Sequence, residues 1–551
     1  MPSSKCKALT VSVPELFFSR SFSSRSKVAK VGALPLTMIA ALFSLFAGVN
    51  ASGQAKPNDK ANSSDTQKAH IQTIEETTVD IPMGEKEPPL RLNLSQLMQA
   101  YNVPGLSIAV IDHYQIIWAK AYGTLGTGSK TPVTSKTLFQ AGSISKPVAA
   151  TAALALVQKG TLSLDEDVNQ KLKTWKVPEN EFTKDEKVTL RRLMSHTAGL
   201  TVHGFPGYDV DAPLPTLVQV LNGEKPANTA PIRVDFVPGS QERYSGGGVT
   251  IEQLMMMDVT GKAFPDLLRE SVLQKIGMAD SGYEQPLPAA RAALTATGTY
   301  ADGKPVQGRW HIYPEMAAAG LWTTPTDLAK FAIEIAQSRN GKSNKVLSQK
   351  TVEEMLTPVR PKEGAALGFF VEEQNPGQFG HDGADEGFQA LLTMNWQTGN
   401  GAAIMANSDN GVAVADIVMR GVAKEYGWNY KFGGPLSPLL LIAKLRGVQA
   451  ALDYFTQLKK TGVSEDVMGE RSLNELGYRL LYGGRQQDGV TVFRQNVKLY
   501  PQSSNVYDSL GEAYANTGQK ELAIENYEKS LQLNPKNDNA KERLKKLHGA
   551  K

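Results

Sequence analysis

Apolar runs separated by turn residues stand at both ends of the central part of this 551-residue chain. Residues 106–111 and 115–122 are β-rich runs joined by Asp112-His113-Tyr114, which predicts an antiparallel hairpin. Far downstream, residues 379–383, 388–396 and 401–407 give three more short strands, the last two parted by a turn at 397–400, and a helix follows over 412–426. Between the two groups, the apolar run from Pro147 to Val157, closed by Gly160, predicts a buried helix. Strands from both chain ends around a helical, loop-rich middle imply an α+β fold. One antiparallel sheet is assembled from the two ends, with helices packed against it.

After Gly433-Gly434-Pro435 the pattern becomes helical only, and a repeat emerges. Leu476-Gly477, Gly484, Phe493 and Pro501 return as Leu510-Gly511, Gly518, Tyr527 and Pro535, each 34 positions on. That period, with Tyr507, Tyr514 and Ala523, resembles the tetratricopeptide repeat (TPR). The first copy departs from the pattern at Leu480 and at Gly489, where an alanine is expected. Such repeats bury their apolar faces only against neighbours. Residues 439–460 can supply a degenerate third pair, and 538–547 a capping helix. Two roles remain open for this all-α tail: a groove for a partner protein, or an appendage docked on the preceding domain.

The N-terminus carries Arg20, Arg25, Lys27 and Lys30, then an apolar stretch over 31–49 and Val49-Asn50-Ala51. This reads as a signal peptide over 1–51, with an uncleaved membrane anchor as the alternative. Residues 52–89, polar and without periodic apolar positions, are expected to form a flexible linker. The expected domains are then 90–430 and 431–551. Cys6, the one cysteine, lies in the leader, so the mature chain has no thiol, and a periplasmic or secreted location is compatible with that. The leader also holds the basic excess. Without it the chain is almost neutral, and nothing points to nucleic-acid binding.

The predicted buried helix opens with Ser143-Ile144-Ser145-Lys146, a hydroxyl and an amine one turn apart on the same face. A serine hydroxyl barely ionises at neutral pH, and a lysine takes its proton only when burial or nearby cations keep the amine neutral. The unpaired N–H groups at a helix start favour the negative charge that develops in acyl transfer. Alone, Ser-x-x-Lys is a weak signal, since Ser4 with Lys7 and Ser24 with Lys27 repeat it in the leader.

Context supplies the specificity. Phe139-Gln-Ala-Gly-Ser-Ile-Ser-Lys146, Gly160-Thr-Leu-Ser-Leu-Asp165, Leu193-Met-Ser-His-Thr-Ala-Gly-Leu200 and Phe236-Val-Pro-Gly239 with Tyr244-Ser245 form an ordered series that resembles the class C β-lactamase superfamily. Ile276-Gly277-Met278, Ala319-Gly-Leu-Trp322 and Gly380-His381-Asp382-Gly383 extend the resemblance over roughly 90–425. It implies a β-lactamase/transpeptidase-like fold and an acyl-serine hydrolase, in a family of β-lactamases, D-alanyl-D-alanine carboxypeptidases, D-amino-acid peptidases and esterases. It also implies Ser143 as nucleophile, Lys146 as its base and Tyr244 as the phenol passing a proton to the leaving group. The backbone N–H groups of Ser143 and Ala384 would form the oxyanion hole. His381 and Gly383 stand where lactamases of the family carry Lys-Thr-Gly, so His381 is expected to hydrogen-bond the trio or attract a substrate carboxylate.

One departure matters: Tyr244-Ser245-Gly246 replaces Tyr-x-Asn, which removes an amide that binds the acyl-amide carbonyl and weakens penicillin recognition. The glycine run Gly246-Gly247-Gly248 is expected to let backbone approach a ligand. His196 is expected to pack beside the site, and Asp165 to cap a helix. No metal or other cofactor is expected. The expectation is an exported serine hydrolase for D-amino-acid peptides or small esters. The alternatives are a β-lactamase, or a non-catalytic sensor that recruits partners through its repeats.

Overall fold

The computed structural model describes residues 57–83, 87–360, 364–429, 436–461 and 469–549. The expected leader over 1–51 lies outside them, as does the Gly433-Gly434-Pro435 boundary. Among the described residues, no helix is long and apolar enough to cross a membrane.

The predicted hairpin forms strands β1 (Gly105–Asp112) and β2 (Gln115–Gly123), and His113 and Tyr114 turn it with φ of +49° and +61°. The downstream strands are β3 (Phe370–Val371), β4 (Gln378–Asp385), β5 (Phe388–Asn395) and β6 (Gly401–Ala406). They join in one antiparallel sheet of order β2-β1-β6-β5-β4-β3. Gly401 pairs with Ile111, and Ala406 with Leu106, so the two chain ends meet at its centre.

Both faces of the sheet are covered. Ala109, Ile111, Leu392, Ala403 and Met405 face a core built with the helices Ser145–Gln158 and Pro325–Arg339. Their neighbours Ile108, Val110, Leu391, Ala402 and Ile404 face a second core under the helix Gly411–Glu425. Burial on two sides is why these strands read as unbroken apolar runs rather than as alternating ones.

The linker expected over 52–89 differs in the structure. Residues Pro57–Glu76 are helical, and Val79–Ile81 pairs antiparallel with Leu90–Leu92. Ile74, Val79 and Met83 are buried in the second core, and His70 Nδ1 lies 2.7 Å from Glu425 Oε1. Ile71 and Ile74 are too few to give a sequence period; their helix packs against Leu94–Ala100 and, hundreds of residues away, against Gly411–Glu425.

The tail is helical as expected, with Glu470–Tyr482, Gln486–Leu499, Ser504–Asn516, Lys520–Leu533 and the capping helix Asp538–Gly549. Leu436–Arg446 and Val448–Lys460 form the additional pair. Gly489 fits a tight crossing, since a β-carbon there would lie 2.9 Å from Gly477 O. The second core runs on without a break into Leu439, Ile442, Leu452, Phe455, Leu473 and Leu476, whereas Phe493, Leu510, Tyr514, Ala523 and Tyr527 belong to a separate core of the last repeats. The start of the tail is thus part of the sheet's outer cover.

Candidate active site

Ser143 sits in a tight turn held from two sides. Phe139–Gln140 pairs with Trp322–Thr323, and Ala141 N–H donates to Leu321 O at 2.9 Å. Gly142–Ile144 then forms a 3-10 turn leading into the helix Ser145–Gln158, and no side chain caps that helix start. Strand β4 closes on this turn through two glycines. Gly142 has φ of +50°, and a β-carbon on it would lie 2.4 Å from Ala384 N; one on Gly383 would lie 1.8 Å from Ala141 O. Only glycine at both positions lets the backbone of Ala384 stand beside that of Ser143.

Lys146, buried, places Nζ 2.8 Å from Ser143 Oγ and 2.8 Å from Ala318 O. The same nitrogen lies 4.9 Å from the centre of the Tyr244 ring. Tyr244 is delivered by the start of the helix Gly246–Thr260, where the N-cap Ser245 Oγ accepts from Gly248 N–H (3.0 Å) and donates to Thr201 O (2.8 Å). A loop over 196–203 is zipped to this segment. Arg243 N–H donates to His196 O, Ser245 N–H to His196 Nδ1, Gly246 N–H to His203 O and Gly247 N–H to Val202 O.

The glycine run therefore serves a different purpose from the one expected: β-carbons on Gly246 and Gly247 would come within 3.0 and 2.8 Å of His203 O and Thr201 O. It admits this loop rather than a ligand. The loop itself is strained, with His196 at φ +59° and the β-branched Val202 at +63°.

Rings surround Tyr244: His196 at 4.2 Å between centroids, His203 at 4.8 Å, His381 at 6.1 Å and Phe370 at 6.4 Å. Burial first, and the nearby Lys146 second, push His381 down to about 3 and His203 down to about 4, and hold His196 well below its usual range. All three imidazoles are neutral at pH 7. His381 Nδ1 lies 2.5 Å from Asp382 O, so it carries the ring proton. That leaves Nε2 as a buried acceptor without a hydrogen-bond partner among the described residues. An uncharged ring in this tautomer offers an acceptor nitrogen rather than a positive charge.

His196 packs beside the site as expected. Asp165 caps no helix; exposed, it holds Arg191 through two oxygens at 2.6 and 2.8 Å. Three neighbours escaped the sequence reading: His203, Phe370 and the buried Glu252. His203 was the most accessible, lying seven residues after His196 in one Gly-containing loop. Among the described residues no group of His, Cys, Asp and Glu could hold a metal ion.

A family model described as "Beta-lactamase" matches residues 90–423. The chain belongs to the beta-lactamase family. A second model, "Tetratricopeptide repeat", matches residues 504–537 of this family member's tail. It is 29% identical over 238 residues to a beta-lactamase of Pseudomonas fluorescens, covering 43% of this chain and 60% of that one, less than two thirds of the relative's length. It is 27% identical over 342 residues to penicillin-binding protein 4 of Amycolatopsis lactamdurans, covering 58% and 84%. With esterase EstB of Burkholderia gladioli it shares 27% over 232 residues, 38% and 53% of the two chains. The octameric penicillin-binding protein homologue of Pyrococcus abyssi shares the fold, at a TM-score of 0.53 and 22% identity over 64% of this chain and 80% of that one. The beta-lactamase-family domain is thus that of a family of serine hydrolases.

Proposed function

We propose that this protein hydrolyses esters or D-amino-acid peptides through an acyl-serine intermediate on Ser143. The observation that carries this reading is the 2.8 Å contact between Lys146 Nζ and Ser143 Oγ, made beside the backbone of Ala384. In the proposed reaction the neutral Lys146 takes the hydroxyl proton as Ser143 Oγ bonds to the substrate carbonyl carbon. The carbonyl oxygen gains the negative charge, and the N–H groups of Ser143 and Ala384 stabilise it. Tyr244 then protonates the departing oxygen or nitrogen as its bond to carbon breaks, and recovers a proton from Lys146. Water repeats the sequence to release the acid and free Ser143.

The neutral His381 favours leaving groups without a free carboxylate. That supports esters and peptide amides over peptides cleaved at a C-terminal residue. The missing side-chain amide at Gly246 further counts against penicillins and cephalosporins. The leader is proposed to direct export to the periplasm or beyond, and the repeats to bind a partner protein.

Purified protein and its Ser143→Ala variant, given short-chain esters, D-Ala-D-Ala peptides with free and amidated C-termini, and a chromogenic cephalosporin, test this. Ser143-dependent turnover, greatest for esters or amidated peptides, is expected. Turnover of none of them, or turnover unchanged in Ser143→Ala, contradicts it.

A further inference from the structure

Glu252 lies on the helix Gly246–Thr260, two turns beyond Tyr244, and is 1% exposed. Its Oε1 is buried without a hydrogen-bond partner among the described residues. A buried carboxyl oxygen without a partner carries a desolvation cost and calls for an explanation.

Its surroundings point to Lys146. The glutamate's helix packs against the helix Ser145–Gln158 and against the turn Met316–Ala319, whose Ala318 O holds Lys146 Nζ. The adjacent Gln253 fastens that turn, donating to Pro314 O and accepting from Ala317 N–H. On the other side Tyr283, buried and neutral, donates to Ser145 O at 2.8 Å. Glu315, Arg191, Arg192 and Asp266 are the charged or titratable residues on the other elements packed against this helix. Of all these groups, Lys146 and Tyr283 are the ones that Glu252 interacts with electrostatically.

We infer that Glu252 is a positioning residue for the Ser143–Lys146 pair, a buried carboxyl behind the lysine whose proton keeps the amine's lone pair available to Ser143. The inference rests on the acyl-serine reading above. With Glu252 protonated, Lys146 can shed its third proton and accept the one leaving Ser143 Oγ. With Glu252 ionised, its negative charge holds Lys146 as an ammonium, and the hydroxyl proton has no acceptor. Burial pushes the Glu252 carboxyl up to about 8, with the charge on Lys146 pulling the other way, so the neutral form prevails at pH 7.

The test is the rate of covalent labelling by a fluorophosphonate probe from about pH 5 to about pH 10. It is measured on full-length wild type, Glu252→Gln and Glu252→Asp. Glu252→Gln is expected to move the rising limb about one unit toward acid, with labelling on that limb up to about tenfold faster; Glu252→Asp restores the wild-type limb. If Glu252→Gln does not fold, Glu252→Met removes the charge at similar volume. A limb that stays in place or moves toward alkali in the uncharged variant overturns the inference, even if its amplitude falls. Absence of Ser143-dependent labelling in wild type instead overturns the acyl-serine reading, and this inference with it.

Discussion

A β-carbon on Gly383 would stand 1.8 Å from the carbonyl oxygen of Ala141, closer than any real contact. Strand β4 can approach the Ser143 turn only because that position has no side chain. Gly383→Ala must push strand and turn apart by an ångström or more. A loss of about 100-fold in kcat/KM is expected, with circular dichroism unchanged, because only the strand end moves. Full activity in a folded Gly383→Ala protein contradicts this.

Tyr244 touches a cage of neutral rings, and its replacement by phenylalanine keeps that packing. What is lost is the hydroxyl. Tyr244→Phe is expected to slow cleavage of amides and alkyl esters by about 10²–10⁴-fold, and of p-nitrophenyl esters far less, since that leaving group departs without a proton. Equal loss on both substrate types would assign the residue to packing.

The tail divides at its cores. Removing residues 436–551 strips Leu439, Leu441 and Ile442 from the second core and uncovers the helix Gly411–Glu425 against which their helix packs, so this truncation is expected to aggregate or to melt well below the full chain. Removing residues 501–551 strips mainly the separate core of the last repeats and is expected to leave a folded, active hydrolase. Thermal melts and ester turnover of the two truncations distinguish these outcomes. Partner binding that disappears with the shorter deletion would assign recruitment to the last repeats.

Stability should peak near neutrality, and the signs follow from two kinds of buried group. The unfolded chain ionises Glu252 from about pH 4.5 upward while the folded chain keeps its proton until about 8, and above about pH 6.5 no protonation of unfolded imidazoles opposes that difference. The folded state binds more protons there, so stability falls as pH rises, by roughly 1–2 kcal/mol. Below about 6.5 the unfolded imidazoles take protons that buried His203 and His381 refuse until about 4 and about 3, so stability falls as pH drops. Melting temperatures across pH should give a maximum, and Glu252→Gln should flatten the alkaline arm and steepen the acid arm above about pH 4.5.

Much of this arrangement was readable from residue order. Ser143 and Lys146 announced themselves because a short helical spacing was followed by an apolar run, and five of the six sheet strands because turn residues bracket them. The motif series carried Tyr244, Gly383 and Ala384 to one place, since local patterns fix where each glycine permits a close approach. His203 and Phe370 were not legible: their role arises from a loop and a short edge strand converging on one ring from distant parts of the chain. Glu252 was hidden for another reason, since a lone acid in a helix reads as surface until its burial is known. The helix Pro57–Glu76 was missed because its polar sequence is ordered by contacts made far downstream.

The central claim is that Ser143 becomes covalently acylated with Lys146 as its proton acceptor. Intact-mass and peptide mass spectrometry of full-length protein after fluorophosphonate treatment test it directly. A single adduct on Ser143, absent from Ser143→Ala and slowed by at least about 100-fold in Lys146→Met, is the expected result. An adduct on another residue, or one that persists in Ser143→Ala, would contradict the account.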